Sequence, residues 1–185
     1  IAHLIRVRAV GVASEIDAET PWLDAPIAFI DTETTGRDPN VDRIVEVGIV
    51  LGVGGSVRSR KSWLVNPGFP IPEESASVHG IRDADVADKP SIAEVMPEIL
   101  AALEGAIPAA YNAEFDRAFF RAELARSNIG AQKLPPAMRR EVEWLDPLVF
   151  ARELYRDEQS RALGEMALAS GRHEDAVKEL TEAVT

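Results

Sequence analysis

Three apolar residues, Ala28-Phe29-Ile30, run straight into Asp31-Thr32-Glu33-Thr34-Thr35-Gly36. The apolar triplet predicts a buried strand. Side chains on a strand alternate between its faces, so Asp31 and Glu33 emerge side by side at the strand's end. Two carboxylates held that close repel, and one pKa rises unless a cation sits between them. A hard divalent ion such as Mg²⁺ or Mn²⁺ suits such oxygen ligands. Gly36 permits a tight exit from the strand, with nearby backbone N–H groups free to face a phosphate. An Asp-x-Glu pair alone more often just solvates a strand end.

A second acid in a matching setting changes those odds. Ala109-Ala110-Tyr111-Asn112-Ala113-Glu114-Phe115-Asp116 also passes from small apolar residues into polar ones. Arg117 to Leu124 follows with helical apolar spacing, so Asp116 falls near a helix N-terminus, where the helix dipole favours a carboxylate. The plainer role for Asp116, and for Asn112, is a cap or turn residue.

Elsewhere the pattern is that of a mixed α/β chain. Arg43 to Leu51 alternates as a second strand, Gly52, Gly54 and Gly55 mark a hairpin turn, and Ser56 to Val65 is a third strand. Pro70, Pro72 and Ser75 to Gly80 read as a loop. Ser91 to Leu103 reads as a helix capped by Ser91, Ile107 to Asn112 as a short buried strand, and Asp116 to Ser127 as a helix. Leu148 to Tyr155 and Ala162 onward read as helical. Hairpin strands followed by strands alternating with helices predict a mixed sheet flanked by helices. Residues 1–23 read as an N-terminal extension, with a helix before Pro21 and Pro26. In the tail, Leu163-Gly164, Ala167, Gly171, Ala176 and Leu180 match part of a tetratricopeptide spacing, but one partial repeat cannot bury its own face. An amphipathic helix on the core is the better reading.

The chain has 185 residues and no cysteine, which excludes disulfides and thiolate metal sites and suits the cytoplasm. No apolar run has the length to span a bilayer, so no membrane partner is expected. Ile1 is not a natural start, so the chain is expected to begin inside a longer protein. The net charge of −11 argues against tight nonspecific binding to duplex DNA. It leaves open a protein that grips one strand end through metal ions. Arg58, Arg60 and Lys61, and Lys133, Arg139 and Arg140, form basic groups that read first as solvated surface.

Taken together, these residues resemble the DEDD, or DnaQ-like, 3′–5′ exonuclease family. Asp31-Thr32-Glu33-Thr34-Thr35-Gly36 is similar to its first motif and Asn112-Ala113-Glu114-Phe115-Asp116 to its second, Asn-x-x-Phe-Asp. Val78-His79-Gly80-Ile81 resembles its substrate-edge segment, and Trp144 to Leu148 with Ala151-Arg152 the stretch before its third motif. The likeness covers roughly Asp24 to Glu165. It implies an RNase-H-like fold with a mixed five-stranded sheet flanked by helices, in an exonuclease domain over 24–185 with a helical C-terminal segment.

It also implies a two-metal site of Mg²⁺ or Mn²⁺ on Asp31, Glu33 and Asp116, which would be the catalytic residues. Thr34, Thr35, Val78, His79, Asn112 and Phe115 would lie at the terminal nucleotide. The implied activity is stepwise hydrolysis from nucleic-acid 3′ ends, single-stranded DNA ahead of RNA, in replication proofreading or repair, with a DNA polymerase as a candidate partner.

The third motif departs from the pattern. The family has His-x4-Asp or Tyr-x3-Asp there, and neither His173 with Asp175 nor Tyr155 with Asp157 has that spacing. The general base and fourth acid are therefore unassigned. One expectation is that residues are missing between Asp157 and Asp175. The alternative is a nuclease-like fold that has lost its base and binds nucleic acid or a partner without cutting.

Overall fold

The computed structural model describes residues 20–21, 24–130, 133–140 and 142–154. The expected N-terminal helix, the helix from Ala162 onward, His173 and the suspected gap between Asp157 and Asp175 lie outside them. So does nearly all of the 1–23 extension.

The first strand, β1, runs Ile27–Thr34 and alternates as its sequence demands. Ala28, Ile30, Thr32 and Thr34 are buried, while Phe29 and Asp31 are exposed and Glu33 is half-buried. β2 (Ile44–Val53) pairs antiparallel with β1, setting Glu33 opposite Glu46 and Asp31 opposite Gly48. β3 (Ser56–Leu64) pairs antiparallel with β2 through a turn in which Gly54 and Gly55 adopt φ of 61° and 69°. Positive φ at both turn positions is the two-residue hairpin geometry that glycine supplies without strain. Gly52 sits in the strand, at a break in register between Leu51 and Gly52.

The segment expected as a loop before Gly80 is a helix, α1 (Glu73–His79). Pro72 precedes its first turn, Glu73 and Glu74 complement the positive end of its dipole, and Gly80 ends it at φ 80°. Prolines at 70 and 72 mark a helix entry here, not a loop throughout. The short α2 (Asp83–Val86) follows. In α3 (Ile92–Ala102) the Glu94 carboxylate accepts from the Ser91 N–H at 2.8 Å and from its hydroxyl at 2.7 Å.

The chain then crosses over to β4 (Ile107–Ala109), which lies parallel to β1. The sheet order is β3-β2-β1-β4. Among the described residues the sheet therefore has four strands. The fifth is reduced to one parallel bridge, Ala109 to Leu145, closed by Ala110 N–H to Leu145 O at 3.0 Å and Leu145 N–H to Pro108 O at 2.8 Å. Asp146 and Pro147 end the extended run at once, because α5 (Pro147–Leu154) begins there.

Helix α4 (Ala113–Arg126) follows β4. Its Phe119, Phe120 and Leu124 join Ile92, Met96, Ile99 and Leu103 of the α3 region over Ala28, Ile30, Val47 and Ile49 of the sheet. A second cluster packs Val45 with Ile71, Ala76, Ile81 and Val86, which seats α1 and α2 beside the strand exit. No described helix is long and apolar enough to cross a membrane.

Candidate active site

Strand alternation places Asp31 and Glu33 on the face of β1 opposite the α3–α4 layer, and Thr32, between them, on the helix-covered face. Asp116 occupies the first turn of α4 and is 3% exposed. The buried Thr32 hydroxyl donates to Asp116 Oδ1 at 2.7 Å across 84 positions of sequence. This contact brings the two acidic motifs together.

Repulsion couples the group electrostatically. Burial, then the charges of Asp31, Glu46 and Asp116, pushes Glu33 from 4.5 up to about 7. Burial, with help from Asp31, pushes Asp116 from 3.8 up to about 7 against the pull of the Thr32 hydroxyl. Asp31, exposed as a residue but with its carboxylate partly shielded from water, is raised first by that desolvation and second by the charge of Glu46. Glu46, which the sequence pattern marked only as a strand residue, thus adds a fourth negative charge; Ser62 donates a hydrogen bond to it. Among the described residues no Lys or Arg forms a salt bridge with Asp31, Glu33 or Asp116.

These carboxylates suit a divalent cation by donor chemistry, since each is a hard oxygen ligand and no described Lys or Arg pairs with them. They are gathered but not closed. Among the described residues, no three His, Cys, Asp or Glu side chains stand as a group able to hold a metal ion.

The strand exit is built from the two threonines expected near substrate. Thr34 Oγ1 donates to Gly36 O at 2.6 Å. Thr35 Oγ1 donates to Asp42 Oδ1 at 3.3 Å and accepts from the Arg43 N–H at 3.0 Å. Both side chains are buried and hold the turn, so the backbone is what they offer outward. Ser75 Oγ donates to Thr35 O at 2.8 Å and fastens α1 to this exit.

At the end of α1, Val78 is 82% exposed. His79 Nδ1 accepts from the Ile81 N–H at 3.1 Å, which leaves the proton of the neutral ring on Nε2. That Nε2 is buried without a hydrogen-bond partner. Burial lowers the His79 pKa, against opposing contributions from the Thr34 backbone and the charge of Glu46.

Asn112 caps α4 in the left-handed conformation, φ 65° and ψ 50°, with no side-chain bond to the helix. Asp146 does that work instead. Its carboxylate accepts from Asn112 N–H at 3.0 Å, Ala113 N–H at 3.1 Å and Leu148 N–H at 2.9 Å, serving the starts of α4 and α5 together. Phe115 is half-buried, its ring 4.9 Å from that of Phe119. Of the basic residues, Arg58, Arg60 and Lys61 lie exposed on the outer strand β3.

Comparison with known proteins agrees with this arrangement. Residues 28–174 match the RNase_T family model, described as an exonuclease. The chain is 38% identical over 110 residues to a PolC-type DNA polymerase III of Thermotoga maritima, covering 60% of this chain and 8% of that protein. It is 45% identical over 107 residues to a DNA polymerase III subunit epsilon-like protein of Rhodobacter capsulatus, covering 56% of this chain and 15% of that one. The chain thus spans a small part of these relatives. Among solved structures it is similar to Exonuclease X in complex with 5′ overhanging duplex DNA, with 31% identity, a TM-score of 0.55, and coverage of 79% of this chain and 72% of that one.

Proposed function

From the premise that this chain belongs to the exonuclease family, we propose that it removes nucleotides stepwise from nucleic-acid 3′ ends, with single-stranded DNA as the favoured substrate. The observation that carries this reading is the 2.7 Å bond between Thr32 and Asp116, which joins the two acidic motifs. The catalytic unit would run over 24–185, in the cytoplasm, with 1–23 as an extension.

Exonucleases of this fold generally use divalent metals. Asp31, Glu33 and Asp116 would hold them here, as Mg²⁺ or Mn²⁺. When bound, two such ions lower the pKa of attacking water and stabilise the leaving 3′ oxygen. The protein's own part is to hold the strand end. Val78 would pack against the terminal nucleotide, and His79, neutral and with its buried Nε2–H unpartnered, would donate to it. The backbone at Thr34 and Thr35, with Asn112 and Phe115, would complete the pocket. The DNA polymerase III relatives support proofreading beside a polymerase as the setting.

The missing His-x4-Asp spacing favours a second reading, a fold that binds nucleic-acid ends without cutting. A 5′-labelled single-stranded DNA, incubated with Mg²⁺ or Mn²⁺ and with chelator, separates the two. Metal-dependent shortening by one nucleotide at a time supports the exonuclease. Retention of the oligonucleotide without shortening supports the binding module. Release of the 5′ label as the first product refutes the proposed polarity.

A further inference from the structure

We propose that Thr32 is a positioning residue whose hydroxyl sets the Asp116 carboxylate for joint action with Asp31 and Glu33 on a divalent cation. This rests on the exonuclease reading and goes beyond it by giving a role to a residue that is neither a ligand nor a substrate contact.

Thr32 occupies the buried, helix-covered line of β1, next in order after Ala28 and Ile30. Valine has the same shape, favours strands and would bury more apolar surface there. A hydroxyl in that place costs free energy unless it is hydrogen-bonded. Its bond goes to Asp116 Oδ1 at 2.7 Å.

Both ends of the bond are fixed. Thr32 is opposite Val47 in the β1–β2 ladder. Asp116 lies one turn before Phe119 and Phe120, which are wholly buried in the core. With Oδ1 committed to Thr32, the rotation of the carboxyl group is restrained. Thr32 thereby ties α4's acid to the strand that presents Asp31 and Glu33 on either side of it. Groups that orient metal-binding carboxylates in this way are worth about 10- to 100-fold in metal affinity or activity.

The test compares wild type with Thr32→Val, Thr32→Ser and Asp116→Ala, and with Thr32→Val combined with Asp116→Ala. Calorimetric Mn²⁺ titration and steady-state kinetics on a single-stranded oligonucleotide are the readouts, with melting in chelator as the check on folding. Thr32→Val is expected to melt near wild type, to bind Mn²⁺ about tenfold more weakly and to lose kcat about 10- to 100-fold, with KM for DNA little changed. Thr32→Ser, which keeps the donor, is expected to restore both. In the Asp116→Ala background, Thr32→Val is expected to weaken Mn²⁺ no further.

Wild-type Mn²⁺ affinity and kcat in Thr32→Val overturn the inference. So does a Thr32→Ser variant as impaired as Thr32→Val, which assigns the effect to packing of the methyl group; this comparison decides the matter even where the valine variant folds poorly. A wild-type protein that neither binds Mn²⁺ nor cuts overturns the exonuclease reading itself, and this inference with it.

Discussion

Glu123 holds Arg43 at two points: Oε1 accepts from Nε at 2.7 Å and Oε2 from Nη2 at 3.0 Å. The Glu123 side chain is wholly buried, and Arg126 adds a 3.1 Å bond to Oε1 while donating to the Pro39 carbonyl. Glu123 lies two turns beyond Asp116 along α4, and Arg43 lies just before β2. The helix that carries Asp116 is thus tied to the loop that follows Asp31 and Glu33. Removing Glu123 strips Arg43 and Arg126, both partly exposed, of their shared partner and costs about 1.5–3 kcal/mol, the range for hydrogen bonds to a charged group. Glu123→Ala should lose that much stability in urea melts, and Arg43→Met with Glu123→Leu together should recover most of it. A Glu123→Ala loss below about 1 kcal/mol would show that the pair is solvated enough to be dispensable.

Asp146 serves two helix starts at once, so its loss should be felt at both. Asp146→Ala should cost about 1–2 kcal/mol, the usual range for a lost N-terminal cap. Amide exchange should speed at Ala113 and Leu148, whose N–H groups it accepts. Unchanged exchange at both sites would mean that water replaces the carboxylate without loss.

The acids of this site were legible in the sequence because strand alternation and helix placement are local rules. Asp31 and Glu33 share a face of β1 as period two requires, and Asp116 lies in the first turn of the helix that its apolar spacing announces. Contacts that depend on tertiary approach were not legible. Thr32 looks like any β-branched strand residue until α4 brings Asp116 to it, and Glu123 and Arg43 carry no mutual signal across 80 positions. The α1 helix was hidden because Pro70, Pro72 and Gly80 are breakers by rule, though Pro72 and Gly80 merely bound it. The resemblance implied a fifth strand; the described residues show a single bridge at Leu145 before Asp146 and Pro147 turn the chain into α5.

Gly36 is required by space. A Cβ built there would stand 2.3 Å from Asp42 Oδ2. Asp42 cannot simply withdraw, because Oδ2 accepts from the Asp38 N–H at 2.8 Å and Oδ1 from Thr35. Gly36→Ala should cost about 1–3 kcal/mol, as overpacking does. The same change in an Asp42→Ala background should cost clearly less. Equal costs in the two backgrounds would place the strain elsewhere.

If the proposed chemistry holds, Asp31→Ala should lower the rate on single-stranded DNA by several orders of magnitude, since it removes a metal ligand. Circular dichroism should show the fold retained, because Asp31 lies on the exposed face of β1. Full activity in that variant, or in excess chelator, would end the metal-dependent reading.

The raised pKa of Asp116 fixes the sign of a pH effect in metal-free protein. Its pKa stands at about 7 in the fold against an ordinary 3.8. Between those values the folded state holds a proton that the unfolded state has released, so stability is greatest below the lower value and is lost as pH rises through the upper one. Asp116→Asn keeps an acceptor for the Thr32 hydroxyl and removes the charge. In chelator the variant should therefore match wild type near pH 4 and exceed it near pH 8, by on the order of a few kcal/mol. Added Mn²⁺ should then raise wild type more than the variant, because only wild type offers it the carboxylate. Urea melts at several pH values give the comparison. A variant less stable than wild type at pH 8 in chelator would mean that the buried charge is compensated by the fold itself.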